Sequence, residues 1–447
     1  MTKRVAIIGG GITGLAAAWE LSRRANRAYV TIFEPDRVGG KLRSSPFAGM
    51  DHIDEGADAF LARVPWAKQL CAELGLDDLV APSTGRAYVW QNGRLHRIPE
   101  GLVLGVPAGL LGLAKSRLLS PIGVVRAGFD LFKGATPADH DSLGRLIRDR
   151  FGEQVLERLV DPLVGSINAG DADHLSLRAA TPQIAEPAIN SRSLLLALRR
   201  NRSAVPAEGP IFLAPRNGLA SLASTLADRV RSAGTSIEQG HQVLEIARDG
   251  AAWRVDGQQF DAVILATPAD AAGRLLAGLS PDASKALLGI PYAGVLMVAL
   301  HLARPVGPLG SGYLVPKPVQ RHVTAVSLAS YKWSHWRPPA GGSIIRVSLG
   351  RYGNQVPMDF DDEQAFHTAV DEVSGHLGTQ VLPRGYRVTR WPSAFPQYLP
   401  HHLNRVDAIE RALASDCPGL VVAGAAYRGV GVPACIRQGR EAARAVS

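Results

Sequence analysis

Cysteine is scarce in this sequence: only three occur among 447 residues, at widely separated positions. Because they are few, odd in number and far apart, they build neither a disulfide framework nor a CxxC metal or redox pair. Acids and cysteines at metal-ligand spacing are also missing around the pair His401–His402. We therefore predict no metal site, and we expect an intracellular protein located in the cytoplasm.

Long hydrophobic runs are missing as well. The longest uncharged stretch, residues 286–303, has the length of a membrane span, but Gly289 and Pro291 interrupt it and its second half is typical of a buried strand. The apolar stretch 101–114 is too short to cross a bilayer. We predict a soluble protein without a membrane span and leave open a peripheral membrane contact through residues 101–132.

Negative charge is the scarcer sign, since 40 acidic residues stand against 49 lysines and arginines, for a net charge of +9. This excess suits an anionic partner, although a merely basic surface would also produce it. The arginines are dispersed and no nucleic-acid recognition motif is present, so we predict no nucleic-acid partner. The length and the 46% hydrophobic composition indicate a globular chain of two or three domains.

The N-terminal residues carry a dinucleotide-binding pattern. Residues 4–8 and 28–34 read as strands and 13–25 as a helix, and the turn between the first strand and the helix has the G-x-G-x-x-G spacing at Gly9, Gly11 and Gly14. In this pattern a pyrophosphate approaches the backbone and rests on the helix N-terminus. Glu34 ends the second strand, where a carboxylate accepts hydrogen bonds from a ribose and disfavours the 2′-phosphate of NADP.

NAD and FAD both fit the pattern so far, and the next residues favour the longer cofactor. A second glycine pair, Gly39 and Gly40, follows the acid and leaves a strip of backbone free of side chains. Lys41 adds a cation beside it, and the stretch 56–60 (GADAF) places small residues where a flat ring system could pass. An ordinary surface turn is the alternative interpretation of the glycine pair alone.

At this point the chain resembles a known family, the oxygen-dependent, FAD-containing protoporphyrinogen and coproporphyrinogen oxidases within the amine-oxidase-like flavoproteins. The resemblance runs nearly end to end, through GGGITGLAAAW, FEPDRVGGKLRS, AGDADHLSL, RWPSAFPQYLPHHLNRV and, most specifically, LVVAGAAYRGVGVPACIRQGREAA. With the glycine motifs, it implies FAD contacts at Gly9, Gly10, Gly11, Ile12, Thr13, Gly14, Glu34, Pro35, Gly39, Gly40, Lys41, Gly56, Ala57, Asp58, Ala59, Val243, Trp391, Val430, Gly431 and Val432.

The late residues of this set agree with a cofactor site. They immediately precede Pro433 and a predicted helix over 434–446, and proline suits the first turn of a helix. The helix N-terminus would then stabilise the negative charge of a reduced flavin. Two positions depart from the family pattern, Ala434 where an acid is common and Asn168 where an aromatic is common, which weakens inferences about the substrate pocket.

Residues for the substrate are less well defined. Five cations are candidates for pairing with substrate carboxylates: Arg97, Lys332, Arg346, Arg351 and Arg428. Three aromatics could stack on a macrocycle or belong to a core: Tyr331, Trp333 and Trp336. The sequence identifies no catalytic residue.

The fold that follows is α/β (α+β overall), a discontinuous Rossmann-like FAD-binding domain with two insertions. The FAD-binding domain takes residues 1–92, 210–290 and 404–447. A helical insert covers 93–209, with apolar periodicity that predicts a helix over 142–160, and a mixed-sheet substrate domain covers 291–403.

The resemblance implies an enzyme of heme biosynthesis that removes six electrons from a porphyrinogen in three hydride transfers to flavin, with oxygen as acceptor and hydrogen peroxide as product. A cation-rich chain suits coproporphyrinogen III, which carries four carboxylates. Protoporphyrinogen IX, or another oxidase or desaturase reaction of the superfamily, is the alternative. The expected partners are the tetrapyrrole and oxygen, with downstream enzymes of the heme pathway as further candidates.

Overall fold

A five-stranded parallel sheet joins distant parts of the chain. The computed structural model describes residues 3–24, 28–204 and 209–447. Across the sheet the strands follow the order Ser236–Gln239, Tyr29–Glu34, Arg4–Ile8, Ala262–Leu265 and Leu420–Val422. Every neighbouring pair is parallel. The sheet confirms the predicted α/β class.

Alternate residues of these strands enter two different cores, as the period of two in a strand requires. Val5 and Ile7 pack under the helices Ile12–Ser22, Leu219–Ser232 and Val432–Ala445. Ala6 and Ile8 face the opposite layer. That layer contains the small sheet Ile246–Asp249, Ala252–Val255 and Gln258–Phe260 and the helices Ala269–Leu275, Pro281–Leu288 and His402–Asp416.

A second, mixed sheet of seven strands forms the other large body of the molecule. Its order is Pro383–Pro396, Tyr292–Leu302, Ser343–Leu349, Val323–Ser327, Gly312–Leu314, Ala87–Gln91 and Arg94–Arg97. The pairing is antiparallel except between Gly312–Leu314 and Ala87–Gln91. One face is covered by the helix Asp362–Leu377.

This sheet corrects one expected boundary. The limit placed at residue 92 falls inside a hairpin, because Ala87–Gln91 and Arg94–Arg97 pair with each other and belong to the seven-stranded sheet. The hydrogen bonds of that sheet therefore move the boundary to a point before Ala87. The other domain limits stay predictions.

The helical insert has its own hydrophobic core. The periodicity over 142–160 predicts one helix, but the structure interrupts it at Gly152, which has a φ of 90°. After Leu143–Phe151 and the short Glu153–Val155, the chain enters a π-helix, Leu156–Gly165, that includes Pro162. π-Helices are rare and often occur at functional sites. The other helices of the insert are Leu110–Ser116, Pro121–Gly128, Ser166–Asn168, Leu177–Ala180, Pro182–Asn190 and Leu194–Ala204.

Shorter elements connect these bodies. The remaining strands are Ser44–Phe47, Met50–Asp54, Phe60–Leu61, Leu79–Val80, Leu102–Val103, Val106–Pro107 and Phe212–Pro215. The remaining α-helices are Pro65–Leu74 and Ala329–Lys332, and the 3₁₀ turns are Phe129–Phe132, Ala172–His174, Lys317–Val319 and Val356–Asp359. Within the described residues, no helix combines the length and the apolar character that crossing a membrane requires.

Candidate functional site

A cavity of about 1230 Å³ lies between the two large sheets. One wall comes from the carboxyl ends of the parallel strands, through residues such as Gly9, Glu34 and Ala266. The other wall comes from the seven-stranded sheet, where Val295 and Met297 point into the cavity while Leu296 packs in the core on the opposite face. Ligands of open parallel sheets bind at this edge.

The cavity brings together residues that are far apart in the sequence. All the predicted cofactor contacts line it except Gly10 and Gly14. The lining members are Gly9, Gly11, Ile12, Thr13, Glu34, Pro35, Gly39, Gly40, Lys41, Gly56, Ala57, Asp58, Ala59, Val243, Trp391, Val430, Gly431 and Val432. Their individual contacts with a cofactor stay predictions.

The three motif glycines are required for different reasons. Gly9 has a φ of 109°, and an added Cβ would lie 2.7 Å from the carbonyl oxygen of Ala266. At Gly14 an added Cβ would lie 2.0 Å from the oxygen of Gly9, so this glycine allows helix and strand to pack. Gly11 precedes the helix Ile12–Ser22, and an added Cβ would meet no protein atom within 4 Å. Packing therefore explains the first and third glycines, whereas Gly11 leaves open space at a helix N-terminus, where an anion binds.

Glu34 is held in place by main-chain donors. Its side chain is buried, the N–H of Gly10 donates to Oε2 at 2.7 Å, and the N–H of Asp36 donates to Oε1 at 3.0 Å. Each carboxylate oxygen keeps acceptor capacity for a further donor such as a ribose hydroxyl. The N–H of Gly39 donates to the carbonyl of Gly10 at 2.9 Å, so the two glycine segments form one surface.

Lys41 connects this surface to the second sheet. Its ammonium group donates to the carbonyl oxygens of Ser393 and Ala394, at 2.8 Å for Ala394, and lies 5.7 Å from the centre of the Tyr292 ring. The surrounding protein atoms desolvate the ammonium and lower the pKa of Lys41 to about 8. Lys41 therefore fixes the position of one sheet against the other and also lines the cavity.

The C-terminal segment supplies a second helix N-terminus. The helix Val432–Ala445 begins two residues before the predicted start, with Gly431 at its N-cap and Pro433 in its first turn. Cys435, one turn later, also lines the cavity, and burial raises the pKa of its thiol to about 11. A protonated thiol is a poor nucleophile, in agreement with a packing role.

Beside the seven-stranded sheet, Asp58 is the centre of a charged cluster that includes Arg346 of that sheet. The Lys332 ammonium lies 2.8 and 2.9 Å from its two oxygens, Arg346 Nη1 lies 3.2 Å from Oδ2, and Trp333 Nε1 donates to Oδ2 at 3.1 Å. Burial alone would raise the pKa of Asp58, but the two cations outweigh it and hold the pKa at about 2. The carboxyl group is therefore ionised across the physiological range.

The remaining cationic candidates divide into two groups. Arg351 lines the cavity, but its guanidinium is paired with the buried Asp161 of the π-helix, at 2.7 and 3.0 Å. Arg97 and Arg428 do not line the cavity and pair instead with surface acids. The structure thus brings Lys332, Arg346 and Arg351 together and leaves the other two outside.

Comparison with known proteins identifies the family. Residues 12–447 match the family described as flavin containing amine oxidoreductase. The chain is 33% identical to the coproporphyrinogen III oxidase of Bacillus subtilis (strain 168), over 98% of this chain and 97% of that protein. It is 37% identical to the coproporphyrinogen III oxidase of Mycobacterium tuberculosis (strain ATCC 25618 / H37Rv), over 96% of this chain and 94% of that protein. The crystal structure of a protein from Exiguobacterium sp. 255-15 superposes on this chain with a TM-score of 0.88 and 27% sequence identity. The superposition covers 100% of this chain and 99% of that chain.

The chain belongs to the flavin-containing amine oxidoreductase family. Its cofactor is FAD, as the sequence predicts, and it is an FAD-dependent oxidoreductase. The open space at Gly11 and the joined glycine segments fit the pyrophosphate of this dinucleotide. Trp391 and Gly56, whose added Cβ would lie 3.5 Å from the indole, form an apolar wall suited to a flat ring.

Two features of this flavoprotein differ from the sequence analysis. Trp333 and Trp336 are 1% and 2% exposed, and Tyr331 packs against the core of the seven-stranded sheet, so the core interpretation of these aromatics is correct and stacking on a macrocycle is wrong. Leu163 of the π-helix and Phe395 also line the cavity, although the sequence did not predict them as site residues. Pro162 inside a helical pattern was the available signal for the π-helix.

Proposed function

We propose that this flavoprotein oxidises coproporphyrinogen III to coproporphyrin III, a six-electron reaction in which oxygen reoxidises the flavin and hydrogen peroxide is released. The observation that carries the proposal is the similarity to coproporphyrinogen III oxidases over nearly the whole chain. The cations in the second wall of the cavity support it, because a tetracarboxylate needs charged or hydrogen-bonding partners when it leaves water.

Bound FAD supplies the hydride acceptor for this chemistry. The protein binds it through the glycine surface and Glu34. Apolar side chains that line the cavity would hold the macrocycle and exclude water, among them Met297 and Phe395 of the seven-stranded sheet and Leu163 of the π-helix. We assign no general base, so the role of the protein is binding and orientation.

The test compares kcat/KM for coproporphyrinogen III and protoporphyrinogen IX from the rate of porphyrin fluorescence, with both substrates below KM. We expect a higher value for coproporphyrinogen III, with three hydrogen peroxide molecules released per porphyrin. Equal values or a reversed preference would refute the coproporphyrinogen assignment. A flavin bleached by simple amines and by neither porphyrinogen would refute the porphyrinogen proposal as a whole.

Protoporphyrinogen IX is the second candidate substrate. The chain is 28% identical to the protoporphyrinogen oxidase of Macaca fascicularis, over 100% of this chain and 98% of that protein. The comparison of the two substrates described above decides between them.

We also propose a cytoplasmic location, with downstream heme-pathway enzymes as partners and a peripheral contact with anionic membranes. Cys71, Cys417 and Cys435 are free and buried, which suits a reducing compartment.

Exposed Ile122, Val125 and Phe132 support the membrane contact. Co-sedimentation with anionic vesicles should fall as salt rises, because charge attraction is screened within about 10 Å at 0.1 M. Binding that does not respond to salt would contradict this.

A further inference from the structure

We propose that Lys332 binds a carboxylate of the substrate. Lys332 belongs to a cluster in which it and Arg346 both contact Asp58. This inference rests on the proposed function, since it takes the substrate to be a polycarboxylate. It assigns to one residue a role that the sequence left open among five cations.

The cluster of Lys332, Arg346 and Asp58 has an excess of positive charge. Lys332 and Arg346 contribute two positive charges and Asp58 one negative charge, so the group has a net charge of +1 at the cavity wall. Asp58 is already surrounded by three donor side chains, including Trp333. The excess charge is therefore not neutralised inside the cluster.

The Lys332 ammonium can donate a further hydrogen bond. The Lys332 ammonium has three N–H groups, and its two contacts with Asp58 leave at least one for another acceptor. Arg346 is almost completely buried and uses its two terminal nitrogens on Asp58 and the carbonyl of Gly56. Lys332 is the more accessible of the two, with 19% of its side chain exposed against 4% for Arg346.

Arg351, another candidate cation that lines the cavity, is neutralised by a buried acid. Both of its terminal nitrogens contact Asp161, and one also donates to the carbonyl of Gly170. This pair has no net charge, so it fixes the wall without attracting an anion. Because Arg346 of the same cluster donates to the carbonyl of Gly56, a carboxylate on Lys332 would hold one edge of the macrocycle near the predicted flavin contact at Gly56. Lys332 is thus a specificity residue.

The test measures binding of coproporphyrin III and of its uncharged tetramethyl ester to the FAD-loaded enzyme, by porphyrin fluorescence in one detergent-containing buffer. In Lys332→Met we expect the Kd of coproporphyrin III to rise about 10- to 100-fold, as for a lost hydrogen bond to a charged group, while the Kd of the ester stays unchanged. Lys332→Arg should recover most of the binding. Lys285→Met removes one exposed charge outside the cavity and should have no effect.

Flavin absorbance and melting temperature verify that each variant is folded and loaded. If Lys332→Met binds coproporphyrin III as the wild type does, the inference is overturned while the proposed function stands. If the acid and the ester weaken equally, Lys332 acts only through structure and the inference is also overturned. If the wild type neither binds nor forms coproporphyrin III, the proposed function fails, and the inference fails with it.

Discussion

The two walls of the cavity are built by different means. The wall on the parallel sheet consists largely of main chain: glycines that leave room, N–H groups at two helix starts, and Glu34 held by backbone donors. The wall on the seven-stranded sheet consists of side chains, and its charges are paired across long sequence distances, as in Lys332–Asp58 and Arg351–Asp161. A cofactor common to a family can be bound by backbone, whereas a substrate is selected by side chains.

The walls also differ in how they treat buried carboxylic acids. Asp58, which lines the cavity, and Asp161 of the π-helix are each paired with cations. Asp54, beneath the cofactor side, accepts hydrogen bonds from Ser44 and from the N–H of Leu219, while its Oδ2 has no partner. Desolvation raises the pKa of Asp54 to about 7. The first two acids are therefore stabilised by ion pairs, whereas Asp54 is stabilised by uncharged hydrogen-bond donors.

The largest effect should follow from a side chain at Gly11. In Gly11→Val the new side chain meets no protein atom at Cβ but occupies the pyrophosphate path, so we expect folded protein with FAD affinity reduced at least ~100-fold. Flavin absorbance and circular dichroism measure this. Gly385→Val is the matched control, because its Cβ is equally free and lies outside the cavity. Full flavin content in Gly11→Val would show that the backbone of this wall does not hold the cofactor.

Breaking the buried ion pair should damage the other wall. Asp161→Asn leaves the Arg351 guanidinium buried without its counter-charge, which costs about 3–5 kcal/mol in the free energy of unfolding. Asp407→Asn, at the exposed pair with Arg428, should cost less than ~1 kcal/mol. Denaturant titrations measure both. Equal losses in the two variants would contradict the proposed dependence on buried charge.

Asp54→Asn tests the raised pKa of the buried Asp54. Since the folded pKa is raised, the unfolded state releases this proton first, and wild-type stability falls as pH rises from about 4 to about 7. The variant lacks this loss, so its stability relative to the wild type should rise by about 4 kcal/mol between pH 4 and pH 8. Denaturation at pH 5 and at pH 8 measures most of the change. A difference that is the same at both pH values would refute the raised pKa.

The smallest effect is expected at Glu34. Glu34→Ala removes a carboxylate acceptor, and we expect the Kd of FAD to rise ten- to thirtyfold, or ~1–2 kcal/mol. Glu34→Gln keeps an oxygen for the N–H of Gly10 and should lose less. Titration of apoprotein with FAD gives both constants. An unchanged Kd in Glu34→Ala would limit this residue to holding the turn.

How much the sequence could predict follows the same division. Glycine spacing and strand ends are local patterns, and they predict the turn residues and Glu34. Residues 56–58, Val243, Trp391 and residues 430–432 were added from the family resemblance. All of these residues except Gly10 and Gly14 line the cavity, and their contacts with the cofactor stay predictions. The partners of Lys332 and Arg351 could not be predicted, because Asp58 and Asp161 lie far away in the chain and only the folded sheet brings them close. The π-helix was also missed, since its apolar residues share the periodicity of an ordinary helix until Pro162.

The parallel sheet contains strands from both ends of the chain, which affects how the protein folds during synthesis on the ribosome. Strand Leu420–Val422 pairs with Ala262–Leu265, and an added Cβ at Gly439 would lie 2.2 Å from the carbonyl oxygen of Thr13, so the last helix packs directly on the first. Part of the apolar face of Ile12–Ser22 therefore stays uncovered until almost the whole chain has been synthesised. Such late long-range pairing slows folding and exposes the nascent chain to aggregation. Because residues 430–432 line the flavin cavity, we expect the cavity to be completed late in synthesis and FAD to bind after translation.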